Sequence, residues 1–117
     1  MSLPEESTLL RIFIGEADEV HGRPLYKAIV TRARELHMAG ATVLRGPLGF
    51  GRSSTLHTEK ILRLSQDLPV VIEIVDADEK IGAFISELMA LTKSSLITTE
   101  KVRVIRYGEG DYPGRTD

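Results

Sequence analysis

Two segments of this chain alternate apolar and other residues with the period of a β-strand, and each is followed by apolar residues at the period of a helix. In TLLRIFIG (Thr8–Gly15), Leu10, Ile12 and Ile14 fall on one face and Leu9, Arg11 and Phe13 on the other. In PVVIEIVD (Pro69–Asp76), Val70, Ile72 and Ile74 share one face, and Val71, Glu73 and Val75 share the other. Strands with one apolar face need a cover, and the helical patterns supply it. Leu25, Ala28, Ile29, Ala33 and Leu36 predict a helix over residues 24–39, opened by Pro24 and ended by Gly40. After the second segment, Asp76 and Glu79 read as a capping box. The helix behind it runs to about Leu91, with Ile81, Phe84, Ile85, Leu88 and Met89 inward.

A further strand closes each half: ATVLRGPLGFG after the first helix, and EKVRVIRY (Glu100–Tyr107) after the connection TKSSLITT. The order is β-α-β twice, with EADEVHG as a polar connection in the first half. Right-handed crossovers make the first and third strands central neighbours. The expected fold is α+β, a ferredoxin-like split βαβ (βαββαβ), with a four-stranded antiparallel sheet and two helices on one face. Residues 1–117 form one domain, with an ordered core over about 8–107 and a mobile Gly-rich tail over 108–117. The polar stretch Arg52–Asp67 is too long for a tight turn, and long loops in compact domains often carry function.

Helices on one face leave the other face open. That face carries Leu9, Arg11, Phe13, Val71, Glu73 and Val75, with Arg103 and Ile105 from the last strand. A solvated face would be mostly polar. This one is mostly apolar, and Arg11, Glu73 and Arg103 read as a charge-paired row at its centre. A patch of that kind marks an interface, here with further copies of the same chain. The contact residues are Arg11, Phe13, Val71, Glu73 and Ile105.

Composition narrows the function. Net charge is -2 and aromatic residues make up 5%, against nucleic-acid binding. No apolar run approaches the roughly 18 residues of a membrane helix, and MSLPEEST lacks the pattern of a signal peptide. Without Cys there are no disulfides or thiolate sites, so the expected location is the cytoplasm. His21, His37 and His57 lack metal-ligand spacing, and no G-x-S-x-G elbow surrounds Ser53, Ser54, Ser94 or Ser95. Glu16 and Asp18 follow the first strand and read either as serving a ligand or, more commonly for such residues, as complementing a helix N-terminus or solvating a turn. The chain is therefore expected not to be an enzyme.

RGPLGFGRSSTLH (Arg45–His57) is the stretch with most chemical content. Gly49 and Gly51 allow close backbone approach to an anion, and Arg52 adds a fixed cation. No G-K-[ST] follows, so it is not a Walker loop. Spacing alone leaves two readings open, a phosphate cradle or a kinked strand leading into a loop.

Taken together, RIFIGEAD, GRPLYKAIV, AGATVLRGPLGFGRSS and LPVVIEIVD resemble the DUF190 family of PII-like proteins over about residues 8–107. The segment GFGR also resembles the start of the long T-loop in PII signalling proteins. The resemblance implies a ferredoxin-like homotrimer with inward-turned sheet faces and an adenine nucleotide (ATP, ADP or AMP) in clefts between subunits. Carried onto this chain, the nucleotide site is Gly49, Phe50, Gly51, Arg52 and Ser53, with Lys93, Ser94, Ser95 and Arg103. TKSSLITT lacks the glycine pattern of the corresponding PII loop. The segment Arg52–Asp67 has no tyrosine matching the one some PII proteins have modified. The family also implies a protein partner, a membrane transporter or channel. The alternatives on this fold are a divalent-metal-binding trimer like CutA, which the absent Cys and scattered His disfavour, and a small enzyme.

Overall fold

A computed structural model of the chain describes residues 3–50 and 67–109. The elements run β1 (Glu6–Gly15), β2 (Glu19–Val20), β3 (Arg23–Pro24), α1 (Leu25–Glu35), β4 (Thr42–Arg45), β5 (Pro69–Asp76), α2 (Asp78–Leu91) and β6 (Leu96–Arg103). The four long strands form one antiparallel sheet in the order β4-β5-β1-β6. The two alternating segments are thus the central pair. Their register sets Leu10 opposite Ile74, Ile12 opposite Ile72 and Ile14 opposite Val70. Both helices cover this face: Leu25, Ile29 and Ala33 of α1 and Ile81, Phe84 and Leu88 of α2 join the six strand residues in one buried cluster. Each large side chain so buried contributes roughly 1.5–3 kcal/mol. The fold is the expected ferredoxin-like α+β arrangement.

Several boundaries differ from expectation, each for a local reason. The connection after β1 contains the β2–β3 hairpin, turned by His21 (φ 51°) and Gly22 (φ 76°). Two successive positive φ angles are those of a type I′ turn. Pro24 belongs to this hairpin and precedes α1 as its N-cap. β4 uses only Thr42–Arg45 of its predicted segment, because Gly46 and Pro47 leave the ladder. β6 starts at Leu96 and ends at Arg103, recruiting half of TKSSLITT and releasing Val104–Tyr107. On α2, Met89 is exposed, not inward, and Ile85 is partly buried.

The first helix ends at Glu35, and Gly40 has no part in its cap. His37 takes the left-handed conformation (φ 58°) instead. The His37 N–H donates to Arg34 O at 3.1 Å and the Met38 N–H to Ala33 O at 3.0 Å, which is the Schellman pairing. The capping box is also absent. Ala77 is the N-cap of α2 and has no side-chain cap bond. Asp76 is buried and turned toward the segment after α1, accepting the Ala39 N–H at 2.8 Å and the Ala77 N–H at 2.7 Å. Lys80 completes the tie by donating to His37 O at 2.6 Å. The cap of α2 is thus given up to fix the entry to β4.

A histidine in the left-handed region carries strain that glycine does not. His37→Gly is expected to raise stability by about 0.5 kcal/mol in urea unfolding. A Cβ on Gly40 meets nothing within 4 Å, so Gly40→Ala is expected to be neutral. A loss in His37→Gly matched by a loss in Gly40→Ala would assign the cap to Gly40.

Candidate functional site

The open face is organised around Arg11. Its Nε donates to Glu73 Oε2 at 2.8 Å across β5, and its Nη1 to Glu100 Oε1 at 2.7 Å across β6. The hydrogen bond to Glu73 foremost, with Glu100, raises the guanidinium pKa above its ordinary value. The charge row is therefore Glu73–Arg11–Glu100. Arg103 is not in it: β6 sets Arg103 opposite Glu6, in the residue series of the helix-covered face. Its Nε donates to Glu5 Oε2 at 2.9 Å. Ile105 lies past the end of β6 and is exposed. Exposed Phe13, Leu44 and Leu96 surround the row, with half-buried Leu9, Val71 and Val75. At one end the face hollows into a recess of about 230 Å³ lined by Leu9, Thr42, Glu73, Val75 and Tyr107. The Tyr107 hydroxyl there donates to Ala39 O at 2.6 Å.

The opposite end of the sheet gathers the ends of β1 and β4 and the starts of β5 and β6. Strand polarity sets this, since β1 and β4 run toward it and β5 and β6 away. Pro69 is the hub. The Gly46 N–H donates to Pro69 O at 2.8 Å. Cβ atoms built on Gly46 and Gly49 would each come 3.0 Å from Pro69 Cγ. The chain from Gly46 to Gly49 therefore folds back over one proline ring. Beside it, Glu16 N donates to Leu68 O at 2.8 Å and Ala17 N to Asp67 Oδ1 at 3.2 Å. Gly15 N donates to Asp18 Oδ2 at 2.9 Å, so Asp18 closes a turn. Arg45 reaches Glu16 at 2.5 Å, tying the end of β4 to the end of β1.

The predicted nucleotide residues divide over this frame. Gly49 and Phe50 follow the exit of β4, Gly49 against Pro69 at the start of β5, with Phe50 77% and Leu48 70% exposed. Gly51, Arg52 and Ser53 lie outside the described residues. Lys93, Ser94 and Ser95 form the turn into β6, all exposed, at the same end of the sheet but at its other edge. Thr92 braces that turn by donating to Ser94 O at 3.2 Å. Arg103 is at the far end of β6. Residues missed from sequence are Arg45, Glu100 and Asp67. An i-to-partner register would have exposed Glu100; the reach of Arg45 across β5 had no local signal.

Among the described residues no group of three or more His, Asp or Glu side chains is arranged to hold a metal ion. His21 and His37 serve as left-handed turn residues. No described helix is long and apolar enough to cross a membrane.

The sheet and its two covering helices have the split βαβ arrangement. Solved structures agree on the fold. CPII of Thiomonas intermedia K12 bound to ADP and bicarbonate superimposes with a TM-score of 0.63 at 17% identity, over 86% of this chain and 90% of that chain. CPII bound to ADP, AMP and acetate gives 0.61 at 16% identity, with the same coverage of 86% and 90%. The chain belongs to the DUF190 family, described as "Uncharacterized ACR", whose model matches residues 7–104. A UPF0166 protein of Aquifex aeolicus is 42% identical over 97 residues, 83% of this chain and 91% of the relative. A UPF0166 protein of Methanocaldococcus jannaschii is 33% identical over 90 residues, 77% of this chain and 82% of the relative.

Gly49 has a steric reason to be glycine, independent of any ligand. Gly49→Ala is expected to cost about 1 kcal/mol, since an added methyl must displace the Pro69 ring. Pro69→Ala should recover most of that in a double-mutant cycle measured by thermal unfolding. Full additivity of the two substitutions would separate Gly49 from Pro69.

Proposed function

We propose that this protein is a PII-like regulator that binds an adenine nucleotide between subunits of a homotrimer. It acts through binding, not catalysis. One observation carries the reading: the two described parts of the candidate site share one end of the sheet but stand on either side of β1. Gly49, seated on Pro69 of β5, stands two inter-strand spacings, about 10 Å, from Lys93–Ser95 at the entry to β6. A cyclic trimer places the β4 edge of one copy against the β6 edge of the next and brings both parts to one cleft. The apolar face around Arg11 is the surface such an assembly buries. The two CPII structures, bound to ADP, support the choice of ligand class through the shared fold.

In this reading, the phosphates meet backbone N–H groups from Gly49 onward and the Lys93 ammonium, with Arg52 adding the charge the resemblance assigns to it. The segment Arg52–Asp67 carries the ligand state to a protein partner, a transporter or channel.

Isothermal titration with ATP, ADP and AMP tests the ligand. Heat saturating at one nucleotide per chain is expected, and no heat at millimolar nucleotide would overturn the proposal. Lys93→Ala is expected to weaken ADP binding about tenfold through loss of a charge-assisted contact, while the trimer persists. Phe13→Asp places an uncompensated charge in the buried face and should give monomers by sedimentation velocity, where the parent chain sediments as a trimer. A parent chain that is monomeric at micromolar concentration would remove the shared cleft.

A further inference from the structure

We infer that Glu16 is a built-in competitor for the nucleotide's phosphate, holding Arg45 at the foot of the long segment until a phosphoryl group takes its place. This rests on the nucleotide reading above and assigns roles to two residues beyond it.

The geometry sets Arg45 beside the candidate site. Arg45 is the last residue of β4 and immediately precedes Gly46. Gly46 and Gly49 both pack on Pro69 Cγ, each with its Cβ position 3.0 Å from that atom. Arg45 therefore leads directly into the turn that seats Gly46 and Gly49 on one proline ring. Arg45 and Glu16 stand two strands apart, on the ends of β4 and β1, and their contact bridges the start of β5.

The two partners are unequal. The Arg45 side chain is 59% exposed, open to an incoming anion, while that of Glu16 is 19% exposed. Glu16 Oε2 contacts Arg45, and Oε1 is enclosed with no hydrogen-bond partner among the described residues. The nearby carboxylates are otherwise engaged: Asp18 accepts the Gly15 N–H and Asp67 the Ala17 N–H. Glu16 is thus the carboxylate that occupies Arg45.

A partly exposed ion pair is weakly held. A guanidinium matches phosphate bidentately as well as it matches carboxylate. A di- or triphosphate carries more charge than one glutamate and wins the exchange. Ligand binding then breaks the tie between the ends of β4 and β1.

The test is calorimetric titration of ADP and of adenosine into the parent chain, Glu16→Gln, Arg45→Gln and the double variant. Relief from competition should make Glu16→Gln bind ADP about two- to fivefold tighter, the worth of an exposed pair, and the gain should be absent for adenosine. Arg45→Gln should lose about tenfold for ADP, and the Glu16→Gln gain should vanish in its background. Should Glu16→Gln fail to fold by circular dichroism, Glu16→Asp is titrated in its place. It is too short to span to Arg45 and should show the same gain. ADP affinity equal to or below the parent's in these Glu16 variants overturns the inference and leaves the nucleotide reading standing. Absence of ADP binding to the parent chain overturns both.

Discussion

The pairing of β1 with β5 is the constraint on which the rest of the molecule depends. Its register puts Leu10, Ile12 and Ile14 beside Ile74, Ile72 and Val70 on one face. A slip of one residue would send all six to the other face. The same register puts Arg11 opposite Glu73 and fixes both sheet ends, because Gly15 meets Pro69 where the long segment returns. Core, charged face and loop end are thus consequences of one ladder.

At the loop end the physical logic is close packing on Pro69 together with hydrogen-bonded strand exits. Two glycines lie against the proline ring, and three backbone N–H groups are satisfied by Leu68, Pro69 and Asp67. This packing holds the ends of β1 and β4 to the start of β5. At the other end, buried Asp76 does comparable work by holding Ala39 and so the start of β4. Both are places where a side chain that sequence patterning assigns to one element serves another.

Much of the fold was legible because period-two alternation in Thr8–Gly15 and Pro69–Asp76 is a direct record of one buried face. The helix ends were less legible. Gly40 looked like the cap of α1, but tertiary contacts from Lys80 to His37 and from Asp76 to Ala39 stabilise a left-handed histidine three residues earlier. The open face was read correctly for Arg11 and Glu73, which belong to the central pair. It was misread for Arg103, because no local signal fixed which face of that edge strand turns to the helices; its pairing with β1 puts Ile97, Thr99, Lys101 and Arg103 there. For the candidate site, position on the fold was legible for Gly49 and Lys93. The Arg45–Glu16 contact was not, since it joins strands that are neither sequential nor adjacent.

The central claim is that one ligand site is shared between copies, with Gly49–Phe50 from one chain and Lys93–Ser95 from the next. Subunit complementation tests it most directly. Chains carrying Arg52→Ala, on the same strand exit as Gly49, and chains carrying Lys93→Ala are unfolded, mixed, refolded together and titrated with ADP. The mixture is expected to recover tight sites that neither variant has alone, because a mixed trimer contains clefts built from the intact part of each. A mixture that binds no better than the two variants measured separately would contradict it and place the site within a single chain.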